Sequence, residues 1–421
     1  MDALDPSLKL LLLEALDSSD DDDDSDDDNN NDDGSTDLFF LIASVAALTG
    51  NKMTFRDVLD AEGRARRCRK IPRCALVDPD NSPWHKLYHS GHNGAMITVT
   101  GHDYSAFHRL LELFAPLFHK CTPWTGYNDG ATYKEVKKIT GRPRKITAEA
   151  CLGLVLAWYR FSGPMFILQG WFGFTDTPVT VWLKFGRRMM LRAIQHNQMA
   201  SIRWPTDEDI DMYKNIIKRQ HPALKHVFCV ADGLKLPFES TSDDEEQGKC
   251  YNGWTHGHCV TNLLLFAPDG RLIAAVINAP GSLHDSTLAE WGGVYDKLEA
   301  TYNRTGGICC LDSAFQSMNT EYIIKSSNDE SNADGPLQLV INRQATSLRQ
   351  AAEWGMRAVQ GSFPRLKEKM KCEECGKERQ VYLTLMCLLC NFRLEHVGLN
   401  QIRNVYVPEW SKDASHFIDN N

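Results

Sequence analysis

Residues 258–278 read His258-Cys-Val-Thr-Asn-Leu-Leu-Leu-Phe-Ala-Pro-Asp-Gly-Arg-Leu-Ile-Ala-Ala-Val-Ile-Asn278, two apolar runs separated by Pro-Asp-Gly. Pro-Asp-Gly favours a turn, and the flanking runs have the length and composition of strands, so the segment predicts a β-hairpin. An earlier apolar run, His226-Val-Phe-Cys-Val-Ala-Asp232, predicts a strand of its own. The hairpin is therefore expected to extend a sheet that this earlier strand begins.

After the hairpin the pattern alternates between helix and strand. A helix is predicted over residues 285–300, strands over Ile308–Asp312 and Leu337–Asn342, and a helix over Ser347–Trp354. Strand, hairpin, helix, strand, strand, helix is the element order of an RNase H-like fold. The sequence thus predicts an α/β domain over residues 220–410, with an RNase H-like mixed sheet flanked by helices.

Three acidic residues occupy distinctive places in this order. Asp232 closes the first predicted strand, Asp312 closes the fourth, and Glu353 lies on the helix that follows. Carboxylates that converge from distant segments repel one another unless a cation lies between them. Their oxygen atoms suit Mg²⁺ or Mn²⁺, and a pair of such ions catalyses phosphodiester hydrolysis. Each acid taken alone is more simply explained as a solvated carboxylate, since the chain has 55 Asp and Glu residues.

Charge is unevenly distributed along the 421 residues, whose formal net charge is −9. Residues 1–37 carry fifteen acidic residues and one lysine, which predicts a disordered acidic tail. The rest of the chain is near +5, so the folded part is mildly basic. Thirteen cysteines without a secretory signal indicate a reducing compartment, and the apolar stretch Leu38–Leu48 is too short to span a bilayer. No membrane partner is expected.

Helical patterns and basic clusters fill the region before the sheet. Residues 38–125 predict a helical N-terminal region, in which Gly63–Arg73 carries six basic residues and favours a nuclear-import signal or phosphate contacts as readily as a solvated helix face. Residues 126–200 predict three more helices, at Ile146–Tyr159, Pro164–Phe172 and Thr177–Leu191.

The last of these helices favours a helix-turn-helix interpretation. It begins with Thr177 as N-cap and a proline in the first turn, and the link Gly173–Asp176 has the length of a helix-turn-helix turn. A basic Gly-Arg-Pro strap precedes the three helices and suits a narrow minor groove. The predicted DNA contacts are Arg142, Arg144, Lys145, Thr180, Lys184, Arg187 and Arg188. Plain helix packing and a basic linker remain the alternatives.

Five short motifs in the C-terminal half resemble the PIF/Harbinger-type DDE transposases. They are Ala231-Asp-Gly233, Tyr251-Asn-Gly253, Pro280-Gly-Ser-Leu-His-Asp-Ser286, Leu311-Asp-Ser-Ala-Phe315, and Glu353-Trp-Gly355 followed by Phe363-Pro-Arg-Leu-Lys367. The closing Val397-Gly-Leu-Asn-Gln-Ile402 also resembles the end of those proteins. The resemblance covers roughly residues 225–407, with a weaker similarity from about residue 140.

This resemblance implies a nuclear, metal-dependent endonuclease that cuts DNA at terminal inverted repeats and joins the 3′-OH ends to an AT-rich target. It implies Asp232, Asp312 and Glu353 as the catalytic triad and as the ligands of two Mg²⁺ or Mn²⁺ ions. It also implies a homo-oligomer on DNA and, in many members, a separate element-encoded DNA-binding protein. His284 and Asp285 are accessory candidates: Asp285 has a site role or caps a helix, and His284 contacts a phosphate or packs against its loop.

Two further features leave alternatives open. Lys235 and Arg349 lie near the triad in sequence and either contact the scissile phosphate or are solvated. Four cysteines form a CxxC-x11-CxxC pattern compatible with structural zinc: Cys372, Cys375, Cys387 and Cys390. The second pair lies in the apolar segment Val381–Phe392, which favours a buried helix with the cysteines as small hydrophobic residues.

Two function classes fit the chain best. An active, or once active, transposase nuclease needs all three acids, and all three are present. The alternative is a domesticated DNA-binding or adaptor protein that kept the fold without the chemistry. The intact triad favours the nuclease.

Overall fold

A computed structural model describes residues 70–124, 133–136, 143–239, 244–312, 315, 321–325, 335–370, 376–398 and 400–407. The strands in chain order are β1 (Cys121–Pro123), β2 (Tyr133–Glu135), β3 (Val227–Pro237), β4 (Tyr251–Asn252), β5 (Gly257–Phe266), β6 (Leu272–Pro280), β7 (Ile308–Leu311) and β8 (Ile323–Lys325). The helices before the large sheet are α1 (Pro83–Ser90), α2 (Asn93–Thr100), α3 (Tyr104–Lys120), α4 (Ala148–Arg160), α5 (Met165–Phe172), α6 (Asp176–Ile194) and α7 (Asp207–Gln220). The later helices are α8 (Asp244–Cys250), α9 (Asp285–Trp291), α10 (Val294–Thr305), α11 (Pro336–Ser362), α12 (Gly376–Val397) and α13 (Gln401–Tyr406).

The large sheet has the order β6–β5–β3–β7–β8, with the short β4 paired to the start of β5. Strand β5 runs antiparallel to β3 and β6, whereas β7 runs parallel to β3 and β8 parallel to β7. Three antiparallel strands followed by two parallel ones form an RNase H-like sheet, and the fold class predicted from the sequence is confirmed. The predicted hairpin and the strand that ends before Asp312 are confirmed as well.

Both faces of this sheet are apolar because side chains along each strand alternate between two cores. Cys229 and Ala231 of β3 pack in one core with residues of α7, α9 and α10. Val230 and Leu234 of the same strand face the other core, which includes residues of α11 and α12. Coverage on both sides keeps β3 rigid.

The helices before the sheet pack around α6, which contacts α3, α4, α5 and α12. Gly186 of α6 lets it approach α4 closely, since a Cβ atom there would lie 2.6 Å from Val155. The three helices predicted over residues 146–191 are confirmed, but the N-cap of the last is Thr175 and not Thr177. None of the helices among the described residues is long and apolar enough to cross a membrane.

The predicted strand Leu337–Asn342 is wrong, because these residues form the first turns of α11. Pro336 occupies the first helical position, which favours a helix start. Leu337 is 72 % exposed. The side-chain amide of Gln338 donates to the Asn342 side-chain oxygen four residues later, as the spacing in a helix allows. The strand that follows β7 is instead β8, which the sequence analysis did not predict.

The helix predicted over residues 285–300 is divided into α9 and α10. The break falls at Gly292 and Gly293, and Gly293 has a left-handed backbone conformation (φ +63°). The described residues from Val77 onward belong to one compact unit, so the helical region and the sheet share contacts. The boundaries proposed at residues 37, 125, 200 and 220 stay predictions.

Two arginines predicted to contact DNA instead join α6 to α12. Arg187 is 1 % exposed, lies over the ring of Trp158 with its guanidinium carbon 4.7 Å from the ring centroid, and has Nη2 3.9 Å from Glu378. Arg188 donates to the same carboxylate. This burial is incompatible with Arg187 presenting its charge to DNA, so that prediction is corrected.

The basic strap before α4 has a structural role where it is described. Arg144 donates to the carbonyl oxygens of Phe118 and Cys121 at the C-terminal end of α3, and its guanidinium lies over the Phe118 ring. A cation at a helix C-terminus is favourable, and Arg144 is therefore committed to the protein and not to a minor groove. Arg142 lies outside the described residues. Lys145 is exposed and keeps its prediction.

Changing Glu378 to Gln should destabilise the folded protein by about 3 kcal/mol, because it removes the carboxylate that balances buried Arg187. Urea denaturation followed by far-UV circular dichroism measures this loss. Glu135→Gln is the matched control, since Glu135 pairs with Lys120 and Arg192 at an exposed site and should change the midpoint little. Equal effects of the two substitutions would contradict the role assigned to Glu378.

Candidate active site

Asp232 and Asp312 are brought side by side by the parallel pairing of β3 with β7. The last pair in this ladder is Val230 with Cys310, and each aspartate lies two residues beyond it. Because the two strands run parallel, the two residues reach the same level of the sheet. Adjacent strands are about 4.8 Å apart, so the two aspartates are neighbours. Asp232 was predicted at the end of a strand, but β3 continues to Pro237 through its pairing with β5. The strand that ends at this level of the sheet is the neighbouring β7, whose last residue is Leu311.

Glu353 reaches the same site from α11, which packs against β3 and β7. Gly355 allows this close approach, since a Cβ atom there would lie 2.7 Å from the ring of Phe266. Arg349, one turn before Glu353, connects the acids: its Nη1 is 3.4 Å from Asp312 Oδ1 and its Nη2 donates to Glu353 Oε1 at 3.0 Å. All three predicted triad residues therefore converge on one region.

Asp285 is a fourth acid at this site, in the first turn of α9. Its carboxylate packs against Gly233, where a Cβ atom would lie 2.6 Å from both of its oxygens. The N-cap of α9 is His284, which makes no side-chain cap hydrogen bond, and buried Asp285 Oδ1 has no hydrogen-bond partner among the described residues. Asp285 is thus not the N-cap residue, and its Oδ1 is available to a ligand at the site. His284 is exposed.

Burial and mutual repulsion change the titration of these carboxyls. Burial raises the pKa of Asp232 to about 6, and the charges of Asp312 and Asp285 raise it too, although the Gly233 N–H and Arg349 oppose them. Burial also raises the pKa of Asp285, whereas the nearby Lys235 and His284 lower it. Lys235 was predicted near the triad, and this interaction places it on the side of Asp285. The acids are held closer than their charges favour.

The donor set fits a divalent cation. Asp232 and Asp312 offer adjacent hard oxygens, and Asp285 adds an unsatisfied one. Glu353 is engaged by Arg349 and would complete the set. In the described ranges, no three His, Cys, Asp or Glu side chains already stand in a ready-made metal-holding geometry.

The four candidate zinc ligands do not form a described cluster. Cys387 is buried in α12, as the apolar segment predicted, and burial raises the pKa of the Cys390 thiol on the same helix to about 11. A protonated thiol is a poor zinc ligand. Cys372 and Cys375 lie outside the described residues, so the first half of the pattern stays a prediction.

Comparison with known families gives one match, to the DDE superfamily endonuclease model, over residues 231–391. The matched segment begins one residue before Asp232 and includes Asp285, Asp312 and Glu353. No curated protein and no solved structure gives a match to the chain.

Changing Asp232 to Asn should stabilise the metal-free protein at pH 7 by about 3 kcal/mol, because the pKa of Asp232 is raised by roughly two units and each unit corresponds to ~1.4 kcal/mol. The pKa of Asp232 rises from 3.8 to about 6 on folding, so its contribution to stability is full below pH ~4 and is lost as pH rises through 6. Urea denaturation in EDTA at pH 4 and pH 7 measures the difference, which should vanish at pH 4.

Two controls accompany this experiment. Asp296→Asn removes an exposed acid of α10 and should leave the pH dependence unchanged. Added Mg²⁺ should stabilise the wild type more than Asp232→Asn, since only the wild type keeps the first ligand. A variant that is less stable than the wild type at pH 7 without metal would contradict the unfavourable burial of the ionised Asp232 carboxylate beside its acidic neighbours.

Proposed function

Residues 231–391 form a DDE superfamily endonuclease domain of the Harbinger type, and we propose that the chain is a metal-dependent DNA transposase whose triad is Asp232, Asp312 and Glu353. The observation that supports this proposal most is the matched register of Asp232 and Asp312, which brings two carboxylates together at the end of β7. Asp285 joins them as an accessory ligand. DNA is the substrate class of such a domain.

The chemistry follows from what these side chains can do. When bound, Mg²⁺ or Mn²⁺ supplies an acidified water for attack on phosphorus and neutralises the leaving 3′ oxygen. Asp232 and Asp312 would hold and orient the cations on the sheet, and Asp285 would provide a further oxygen. Arg349 fixes the spacing of Asp312 and Glu353 across two elements. No step needs a covalent bond between protein and DNA.

The finer features of the proposal concern what happens before and after cutting. The freed 3′-OH attacks a phosphodiester bond of an AT-rich target, so that the element is joined to the target as that bond breaks and releases the target's own 3′-OH. The protein is then a strand-transfer enzyme as well as a nuclease. It acts in the nucleus at terminal inverted repeats, as a homo-oligomer on DNA, with end recognition assisted by a separate DNA-binding protein of the element. The modest basic charge of the folded part agrees with such assistance.

The exposed side of α6 supports a direct contribution to DNA binding. Thr180 and Lys184 lie on its exposed face, four residues apart and therefore on one stripe. Lys145 is exposed just before α4. We assign DNA contacts to these three residues, and Arg142, which lies outside the described residues, stays a predicted contact. Arg144, Arg187 and Arg188 are committed to the protein interior or its ion pairs.

Asp312→Asn should reduce cleavage of DNA that carries matched inverted repeats by at least about 10³-fold, because it removes a metal ligand from the reacting centre. Cleavage is measured on gels with Mg²⁺ or Mn²⁺, and thermal unfolding checks that the fold is retained. Asp296→Asn, on the exposed side of α10, is the matched control and should cut like the wild type. Equal cleavage by Asp312→Asn and wild type would sink the mechanism.

The same experiment separates the alternative function. If neither wild type nor Asp312→Asn cuts, but both bind DNA with the same affinity, a domesticated DNA-binding or adaptor protein is favoured. Mn²⁺ titration followed by electron paramagnetic resonance gives an independent test. The wild type should bind Mn²⁺, and Asp312→Asn should bind it at least about tenfold more weakly.

Lys184→Ala should weaken DNA binding severalfold and lower the slope of log K against log salt concentration by about one, as expected for one lost phosphate contact. Fluorescence anisotropy of a labelled duplex, titrated at several salt concentrations from about 50 to about 200 mM, measures both quantities. Lys297→Ala, an exposed lysine on α10, is the control. An unchanged slope for Lys184→Ala would remove α6 from the DNA interface.

A further inference from the structure

The turn between β4 and β5 carries the most exposed large hydrophobic side chain among the described residues. Trp254 is 88 % exposed, and Tyr251, in the adjoining strand β4, is 44 % exposed. Single exposed hydrophobic residues are common on protein surfaces, so exposure alone identifies nothing. The way in which this turn is held gives it meaning.

A buried asparagine is dedicated to fixing the turn. Asn252 Oδ1 accepts hydrogen bonds from the backbone N–H groups of Trp254 and Thr255, both at 3.1 Å. Its Nδ2 donates to the carbonyl of Gly281 at 2.6 Å. His256 completes the turn in a left-handed conformation with φ +49°. Trp254 therefore projects from an ordered backbone, which lowers the entropy lost when it contacts a partner.

The same support reaches the loop that carries Asp285. Ser282 N–H donates to the carbonyl of Lys249 at 3.1 Å. Gly281 lies so close to the chain before the turn that a Cβ atom would be 2.4 Å from the Cys250 carbonyl oxygen. The loop from Pro280 to Asp285 thus joins the base of the turn to the carboxylate site. The turn and the acids are parts of one rigid surface.

The distance between them suits a DNA substrate. Asp232 pairs with Leu264 of β5, and Tyr251 pairs with His258, six residues earlier on the same strand. Six residues of strand span about 20 Å, which equals about six nucleotides at 3.4 Å each. A DNA end bound at the acids would bring its neighbouring nucleotides to the turn.

The local charge favours contact with a base and not with the phosphate backbone. In sequence, the segment directly before β4 carries three acidic residues and one lysine, so it offers no basic cluster for phosphates. An indole ring needs no charge to stack on a base, and such stacking accepts every base because each has a flat face. Unpaired bases are the accessible ones, since those in a duplex are already stacked.

We infer that Trp254 stacks on an unpaired DNA base about six nucleotides from the scissile phosphate, with Tyr251 beside it. This inference rests on the proposed function, because it takes DNA bound at the four acids as its reference. It goes further by naming a contact that recognises separated strands. Duplex ends that fray, or are opened by a partner, are therefore preferred over closed duplex.

The test measures binding of the full chain without cleavage. All proteins carry Asp312→Asn, and the probes are a 20-nucleotide single strand, a forked duplex and a blunt duplex, about 20 nucleotides each in EDTA. Trp254→Ala should weaken binding to the single strand and the fork about tenfold. Trp254→Phe, which keeps an aromatic ring, should retain most of the affinity for both of these probes. Binding of the blunt duplex should change by less than about twofold in either variant.

Trp291→Ala is the matched control, since Trp291 is 67 % exposed on α9 but lies outside the turn between β4 and β5. It should bind every probe as the parent does. A fork with 2-aminopurine at successive positions locates the contact: its fluorescence should be quenched by the parent at one position, about six from the reacting phosphate, and not by Trp254→Ala.

Several results would overturn the inference. They are equal binding of the fork by Trp254→Ala and the parent, an equal loss in Trp291→Ala, or a change in oligomeric state by light scattering without any change in DNA affinity. Trp254→Phe keeps the test decisive if the alanine variant unfolds. Because binding is read with a cleavage-deficient chain, failure of the triad mechanism and failure of this contact give different results.

Discussion

The burial of Asp232 and Asp285 beside Asp312 is the constraint on which the rest of the structure depends. Parallel pairing of β3 with β7 fixes the first two at one level, and the contact with Gly233 adds the third. Burial, together with the charges of Asp312 and Asp285, raises the pKa of Asp232 to about 6, although the Gly233 N–H and Arg349 act against this shift. Apolar cores on both faces of the sheet hold β3, which carries Asp232, in place. Stored instability of this kind is common where function needs it.

The helical region shows how basic residues can serve the fold in place of a ligand. On α6, the buried stripe includes Leu183 and Met190 together with Arg187, whose charge is balanced by Glu378 of α12. A helix with the sequence pattern of a DNA-reading element is therefore also the central packing element between the helices and the sheet. Only its outer stripe, with Thr180 and Lys184, is exposed. Any DNA contact by α6 is limited to that stripe.

Sequence patterns predicted the elements whose signals are local. The Pro-Asp-Gly turn, the strand before Asp312 and the helix around Glu353 all follow from residue types and spacing, and the acids could be named from them. Leu337–Asn342 was misassigned because a short apolar run fits a strand as well as a helix. The burial of Arg187 could not be predicted, since its partner Glu378 lies 191 residues away in the chain. The nearness of Asp285 to Asp232 likewise depends on tertiary contacts.

Two glycines explain how the site and the turn form one surface. At position 233 any side chain would meet the Asp285 carboxylate, so the glycine after Asp232 is needed for the fourth acid to approach. At position 281 a side chain would meet the Cys250 carbonyl, so this glycine lets the Asp285 loop dock on the base of the turn. The loop between Gly281 and Asp285 is thereby fixed at both ends. The turn that carries Trp254 and the loop that carries Asp285 are therefore positioned by shared contacts, so a substitution that displaces one is expected to displace the other.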